Sequence, residues 1–281
     1  CGGAWGMTKR PSSMRHLDNA IRRASDGSPE GYVKTRTLVA NAVVAQMLPD
    51  GVVKGGSALK MRFGNAATRF TTDLDTATAT DPEIYAQKLA EALAQGWEGF
   101  TGRIVAREPA QPQGVPQEYV MRPFDVKLSY NGKPWCTVPL EVGHNEIGDA
   151  EAIDWVELED AAETLAEMGF PAPGKVPLMP LSHQIAQKIH AVTGGGDRAR
   201  DLVDLQLIAA NAHVDLAEVR RTCVRLFAYR KAQTWPPAVA KGEGWEALYA
   251  AQAAGLPVEP SVDDAVVWAN GFVGRIENAG R

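Results

Sequence analysis

The chain has 281 residues, of which 45% are hydrophobic and 22% charged, and its formal net charge at pH 7 is −5. This composition is typical of a folded globular protein with an apolar core, and it argues against a chain that is disordered throughout. The negative net charge excludes a uniformly basic nucleic-acid coat, so any contact with RNA must come from a local basic patch.

The first 95 residues combine helical periodicity with two short strands around a glycine-rich turn. Aspartate and proline at Asp81-Pro82 mark a helix start. In chain order the predicted elements are a helix over Met14–Ala24, a helix over Glu30–Met47, a strand at Val52–Val53, a turn at Gly55–Ser57, a helix over Ala58–Phe63, a strand over Thr71–Thr76 and a helix from Pro82 to about Gln95.

Between Gly102 and Gly143 the pattern changes to strands, with the hairpin dipeptide Asn131-Gly132 between the last two. The predicted strands are Arg103–Glu108, Glu118–Tyr130 and Trp135–Val142, followed by a strand at Asp154–Leu158 and a helix over Asp160–Met168.

After Gly174 the pattern is helical almost to the end, with helices expected at Ser182–Thr193, Arg198–Ala210, Leu216–Lys231, Gly244–Ala253 and Val262–Glu277. We therefore expect an α+β fold with a mixed sheet and a helical C-terminal part, divided into domains over residues 7–175 and 176–281.

The cysteines and the apolar segments indicate a cytoplasmic protein. Cys1, Cys136 and Cys223 are far apart and show no metal-ligand spacing, as expected of a chain in a reducing compartment. No apolar run has the length of a membrane-spanning helix, and the residues before Met7 lack an apolar signal core. We expect no contact with a membrane.

The segment Lys54-Gly55-Gly56-Ser57 lies between a predicted strand and a predicted helix. Glycines at such a junction let a ligand approach the backbone, and the free N–H groups at the start of a helix favour phosphate. The segment lacks the Gly-Lys-Ser/Thr ending of a P-loop. By itself it is compatible with an ordinary turn or with a nucleotide-binding site.

Asp73 and Asp75 stand two residues apart on a predicted strand, 16 residues (73 − 57) after Ser57. Alternate residues of a strand point to the same face, about 7 Å apart. Two carboxylates placed in this way repel each other, and Mg²⁺, which prefers oxygen ligands, stabilises them. A solvated strand end is the alternative interpretation of the pair alone.

A two-metal site needs a further carboxylate from another strand. Glu141, flanked by apolar residues on a predicted strand, is the favoured candidate, and Asp125 is its rival. Either residue alone is compatible with an exposed strand position.

The helical half adds Lys188, which lies among apolar residues of a predicted helix and is a candidate for binding triphosphate. Arg198, Asp201 and Asp204 follow at helical spacing, and Asp201 is a candidate partner of Lys188 or Arg198. A lysine that extends to water is the alternative. The helix that begins at Leu216 is basic, which favours a solvated face over RNA binding.

Five blocks of sequence, taken in order, resemble the AbiEii nucleotidyltransferase toxin family, which is similar to DNA polymerase β-type nucleotidyltransferases and to the mycobacterial MenT enzymes. These blocks are Lys54–Leu59, Arg69–Asp75, Leu140–Gly143, Ile185–Ala191 and Arg198–Leu205. The resemblance covers about residues 35–210.

The resemblance implies a toxin of a toxin–antitoxin system that transfers a nucleotide from an NTP to RNA, at the 3′ end of tRNA, and so blocks translation. Lys54, Gly55, Gly56 and Ser57 would then bind the nucleotide. Asp73, Asp75 and Glu141 would hold Mg²⁺, two ions in all. Lys188 would contact the triphosphate, and Asp201 would be the acid of the last block. Glu141 departs from the aspartate that many relatives carry, and a cognate antitoxin is expected.

Two other functions remain open. In the first, the chain transfers the nucleotide to a hydroxyl of a protein or a small molecule. In the second, the chain binds a nucleotide without catalysing a reaction.

Overall fold

The structure is a computed structural model that describes residues 9–109 and 120–279. Cys1, the predicted domain start at Met7 and the predicted strand start at Glu118 lie outside these residues. The chain packs as two units. The strand unit comprises the described residues up to Val53 together with Thr72–His144 and Trp155–Leu178, and the helical unit comprises Lys54–Thr71, Asn145–Asp154 and the described residues from Met179 onward. The predicted division near residue 175 stays a prediction.

The described elements alternate between helices and strands before a final helical series. In chain order they are α1 (Met14–Ala24), α2 (Pro29–Ala45), β1 (Val52–Lys54), α3 (Gly55–Phe63), β2 (Leu74–Thr78), α4 (Pro82–Gln95), β3 (Phe100–Ala106), β4 (Arg122–Tyr130), β5 (Lys133–His144), β6 (Asp154–Val156), α5 (Glu159–Glu167), β7 (Val176–Leu178), α6 (Leu181–Thr193), α7 (Ala199–Asn211), α8 (Leu216–Arg230), α9 (Trp245–Ala253) and α10 (Val262–Asn278). No helix within the described ranges is both long and apolar enough to cross a membrane.

Side-chain caps explain where several helices begin. A serine or aspartate immediately before the helix accepts a hydrogen bond from a backbone N–H of the first turn, which has no partner inside the helix. These capping residues are Ser13, Ser28, Asp81, Asp215 and Ser261. The predicted helices that these residues begin agree with the structure to within two residues at each end.

The seven strands form one mixed sheet in the order β3-β4-β5-β2-β1-β7-β6. Strands β3, β4 and β5 pair antiparallel, whereas β2 pairs with β5 and β1 with β7 in parallel. A parallel pair needs a long crossover, and the α4–β3–β4 segment supplies it between β2 and β5. The sheet with its helices confirms the α+β fold class expected from the sequence.

The central strands bury one face and leave the other polar. In β4, Phe124, Val126 and Leu128 are buried, and Leu93 of α4 lies against this side of the sheet at Gly102. The intervening residues of β4, together with those aligned with them on β2, β3 and β5, form what we call the polar face. Its residues used below are Asp75, Arg103, Asp125, Lys127, Thr137 and Glu141.

Three local predictions need correction. The helix after β1 begins at Gly55, so the predicted Gly55–Ser57 turn is its first turn. Strand β2 begins at Leu74, so Asp73 precedes the strand instead of lying in it. The strand β7 stands where helical sequence was expected to begin, since a three-residue strand is too short to show periodicity.

In the helical unit, a buried polar cluster fixes the segment Asn145–Asp154. Arg230 donates two hydrogen bonds to the carboxylate of Glu146, at 3.0 and 2.6 Å. Gln187 donates to Asp149, whose other oxygen accepts from the Glu146 backbone N–H. Burial raises the pKa of Asp149 from 3.8 to about 6, and burial followed by the charge of Arg230 lowers the pKa of His190 from 6.5 to about 4.

These two groups oppose each other in the dependence of stability on pH. Between about pH 6.5 and 4 the unfolded chain protonates at His190 while the folded chain does not, so stability falls as the pH falls. Between about pH 6 and 3.8 the folded chain protonates at Asp149 while the unfolded chain does not, so stability rises as the pH falls.

We therefore expect that replacing one of these two groups reveals the pH dependence of stability that the other contributes. Relative to wild type, Asp149→Asn should lose roughly 1 kcal/mol more unfolding free energy between pH 7 and pH 5, and His190→Gln roughly 2 kcal/mol less. Urea unfolding at pH 5, 6 and 7 measures both differences. Parallel pH profiles for the two variants and wild type would contradict the assignment.

Candidate functional site

Asp75 and Glu141 stand side by side on neighbouring strands of the polar face. The parallel register of β2 and β5 pairs Asp75 directly with Glu141, and the Thr76 hydroxyl donates to the Glu141 carbonyl at 3.2 Å. Both side chains are partly exposed, while Leu74 and Leu140 beside them are fully buried. The pairing thus brings together two carboxylates that are 66 residues (141 − 75) apart in the sequence.

The two other candidate carboxylates have different positions. Asp73 is exposed, lies one residue before β2 and accepts a hydrogen bond from the Thr72 hydroxyl at 3.0 Å. Asp125 pairs with Pro139 in the β4–β5 register and forms an ion pair with Arg107 at 3.3 Å. The register therefore aligns Glu141, not Asp125, with Asp75.

The chemistry of these groups fits Mg²⁺. In residues 9–109 and 120–279, no three His, Cys, Asp or Glu side chains converge as a complete metal cluster. Mg²⁺ in NTP-dependent enzymes does not require one, since it is commonly held by one or two carboxylates, with water and substrate phosphates filling its other positions. Asp75 and Glu141, with Asp73 beside them in sequence, supply oxygen ligands of this kind.

The predicted nucleotide-binding segment Lys54–Ser57 begins α3 in the helical unit. Gly55 has φ +66°, a left-handed conformation that favours glycine, and the Lys54 side chain makes no capping hydrogen bond to the first turn. Ser57 is buried. The start of α3 thus presents backbone N–H groups and the positive end of the helix dipole, which favour an anion.

Gly56 is required for a different reason. A Cβ atom at this position would lie 2.9 Å from Nη2 of Arg69, closer than van der Waals contact allows. The guanidinium of Arg69 is fixed by Asp204, to which its Nε donates at 2.8 Å and its Nη2 at 3.1 Å. The absent side chain of Gly56 therefore makes room for a buried arginine.

Asp204 also binds Lys188. Arg69, Asp204, Lys188 and Asp201 thus form one network in the helical unit. The Nζ of Lys188 lies 2.6 Å from Asp204 and 3.1 Å from Asp201. Burial works to lower the pKa of Lys188, but the charges of Asp204 and Asp201 outweigh burial and raise it. For Asp204, Lys188 and Arg69 outweigh the opposing effect of burial and lower the pKa.

The network fixes Lys188 as a charged ammonium with two carboxylate partners. Arg198 lies 3.9 Å from Asp201, so Asp201 contacts both of its predicted partners, Lys188 and Arg198. Sequence reasoning missed the part played by Arg69 and Asp204. The only signal was the i,i+3 spacing of two aspartates in an apolar helix, which places both on one side of α7.

Several other polar residues of the helical unit bind their neighbours within it. On α8, Arg220 binds Glu277, Arg225 donates to the Ile147 carbonyl, and Arg230 binds Glu146. These three cations of α8 are thus engaged in internal hydrogen bonds. The sequence favoured a solvated helix face over RNA binding, and for these three residues the structure shows internal contacts instead.

Replacing Asp204 should strongly destabilise the helical unit. Asp204→Asn leaves Arg69 and Lys188 buried with one carboxylate fewer, and breaking a buried pair in this way costs about 3–5 kcal/mol. The exposed pair of Lys241 and Asp263 provides the control, because Asp263→Asn should cost less than about 1 kcal/mol. Chemical unfolding of both variants tests the difference, and equal losses would contradict it.

The contact between Gly56 and Arg69 predicts that substitutions at these two positions have non-additive effects on the free energy of unfolding. Gly56→Ala should cost about 1–3 kcal/mol in wild type, because Arg69 cannot move without losing Asp204. The cost should shrink in an Arg69→Ala background, where the space is open. Gly274→Ala, in α10 with no atom within 4 Å of the new Cβ, should be neutral or stabilising. A double-mutant cycle from unfolding free energies measures the coupling, and additive costs would refute the contact.

Comparisons with known proteins identify a related fold and a family. A search of curated proteins returned no match. Among solved structures, the MenT4 nucleotidyltransferase toxin of Mycobacterium tuberculosis H37Rv is similar, with a TM-score of 0.54 and 20% sequence identity over 93% of this chain and 97% of that chain. At this identity the likeness shows a shared fold. The sequence model of the family described as "Nucleotidyl transferase AbiEii toxin, Type IV TA system" matches residues 36–268, and the chain belongs to this family of nucleotidyltransferase toxins.

Proposed function

We propose that this nucleotidyltransferase transfers NMP from an NTP to the 3′-hydroxyl of an RNA acceptor, at the 3′ end of tRNA, in a Mg²⁺-dependent reaction that blocks translation. The observation that carries the proposal is the in-register pairing of Asp75 with Glu141 on a partly exposed sheet face. Two carboxylates aligned in this way supply oxygen ligands of the kind that Mg²⁺ prefers, and they suit a reaction whose substrate brings a triphosphate.

The residues of the strand unit bind the metal in this proposal. Asp75 and Glu141 hold Mg²⁺, with Asp73 as a further oxygen ligand. The bound metal supplies charge neutralisation at the triphosphate and lowers the pKa of the attacking hydroxyl. That hydroxyl would lose its proton to solvent as its oxygen forms a bond to the α-phosphorus, while the bond from the α-phosphorus to the bridging oxygen breaks and pyrophosphate leaves.

The residues of the helical unit bind and orient the nucleotide. Backbone N–H groups at Gly55, Gly56 and Ser57 donate to phosphate oxygens, and Lys54 and Lys188 neutralise phosphate charge. Asp201 is a positioning residue, because it acts by holding the ammonium of Lys188 at 3.1 Å. The protein accelerates transfer mainly through orientation and preorganised charge.

Isosteric removal of either paired carboxylate should abolish transfer. With each radiolabelled NTP, Mg²⁺ and total tRNA, we expect Asp75→Asn and Glu141→Gln to lower the transfer rate at least about 100-fold, equivalent to about 2.7 kcal/mol of transition-state stabilisation. Asp125→Asn is the matched control and should retain the wild-type rate, because Asp125 pairs with Arg107 in a different register position. A fully active Asp75→Asn would overturn the proposal.

The same assay separates the alternatives. Label entering tRNA only with the intact site supports the RNA acceptor. Label entering a protein or small molecule, with tRNA unmodified, would show that the acceptor is a protein or small-molecule hydroxyl and not RNA. Nucleotide binding without transfer to any acceptor would indicate a module without turnover. Growth arrest that needs Asp75 and is relieved by the antitoxin of the system would support the block of translation.

A further inference from the structure

The polar face carries a pair of cations at a fixed position relative to Asp75 and Glu141. Arg103 on β3 is directly opposite Lys127 on β4, and Lys127 is opposite Thr137 on β5. Thr137 is four residues before Glu141 in the same strand, so it lies about 13 Å from Glu141 along β5. The cations and the carboxylates therefore share one continuous surface of the strand unit.

The opposed positions of Arg103 and Lys127 reduce the stability of the sheet. Like charges directly opposite each other on adjacent strands destabilise a sheet, and Arg103 is exposed while Lys127 is partly so. Among the ion pairs of the described residues, none joins a carboxylate to either side chain, whereas Arg107, the next cation along, has Asp125. A bound polyanion would remove the repulsion that this placement creates.

The surface around the pair is concave. A groove of about 370 Å³ is lined by residues from all three antiparallel strands, among them Arg103, Lys127, Ser129 and Thr137. Serine and threonine hydroxyls and cationic side chains are the groups that contact sugar and phosphate oxygens without reading base identity. The groove is thus suited to the sugar–phosphate backbone of a nucleic acid.

We propose that Arg103 and Lys127 bind the phosphodiester backbone of the RNA acceptor, a few nucleotides from the 3′ end that reacts at Asp75 and Glu141. This inference rests on the proposed function and names where its acceptor lies. The offset along β5 is about 13 Å, and Lys127 and Arg103 lie one and two strands farther across the sheet, which places the cations beyond the triphosphate that the carboxylates serve. The competing basic surface on α8 is weaker, because Arg220, Arg225 and Arg230 already have internal partners.

The experiment measures binding of total tRNA to the full chain separately from transfer. Fluorescence anisotropy over a series of salt concentrations gives the affinity and its salt dependence for wild type and for Arg103→Gln/Lys127→Gln. We expect the pair variant to bind at least about 10-fold more weakly and to lower the slope of log K against log[salt] by about 1.4, from two lost phosphate contacts at about 0.7 each. Its affinity for NTP should stay that of wild type.

Two controls keep the result interpretable. Arg221→Gln/Lys231→Gln removes the same charge from α8 and its C-terminal cap, and should leave tRNA affinity and slope unchanged. Arg103→Lys/Lys127→Arg keeps both charges and should restore binding, which separates charge from folding. Wild-type affinity and slope in the pair variant, or a larger loss in the α8 variant, would overturn the proposal.

The binding and transfer assays distinguish this inference from the proposed function. If wild type binds tRNA through this pair but transfers no nucleotide to it, the acceptor surface stands and the proposed reaction fails. If wild type transfers nucleotide to tRNA and the pair variant does so with unchanged KM for tRNA, the reaction stands and the acceptor surface fails.

Discussion

The parallel pairing of β2 with β5 is the constraint on which the strand unit depends. The pairing buries Leu74 and Leu140 side by side on one face and, because side chains alternate, it brings Asp75 and Glu141 together on the other. A slip of β2 by one residue would turn Asp75 to the apolar face and Leu74 to the polar face, and would so separate Asp75 from Glu141. Burial of apolar side chains on one face and placement of the acidic pair on the other are therefore specified by the same hydrogen-bond register.

The helical unit depends on a different principle, which is compensation of buried charge. Lys188 and Arg69 meet at Asp204, and Asp201 gives Lys188 a second carboxylate. The network joins two cations to two anions, so its own charges balance. It also explains Gly56, whose missing side chain leaves the space that the Arg69 guanidinium occupies. Hence Gly56, a member of the proposed nucleotide-binding segment, is needed for packing against Arg69.

Much of this fold could be predicted from the sequence because the determinants are local. Capping serines and aspartates and helical periodicity placed α1, α4 and α10 to within two residues. The Asn131-Gly132 dipeptide located the hairpin between β4 and β5, where both residues have positive φ. The short strand β7 was missed because it is defined by its pairing with β1, and the start of α3 at Gly55 was misplaced because no side-chain cap marks it.

The residues of the candidate site could be named from the sequence, but the contacts between them could not. Asp75 and Glu141 could be named from strand patterns, yet their alignment depends on a register between segments 66 residues (141 − 75) apart. Lys188 could be named from its helix, yet its strongest bond is to Asp204, and Arg69 joins them from another part of the chain. A single sequence carries no signal for pairings of this kind, because long-range contacts are set by the packing of whole elements.

The order in which the chain visits its two units has a consequence for how the protein can be divided. The chain passes between the units at five points, after Val53, Thr71, His144, Asp154 and Leu178. A fragment that starts at Met179 would contain Lys188 and Asp204 but not Arg69, which lies in the segment Lys54–Thr71. Such a fragment would carry an incomplete ion network in its core. Two genes that divide the chain before Met179 would therefore leave all segments of the strand unit in the first product and split the helical unit between the two products, so that the helical unit could form only by their reassembly.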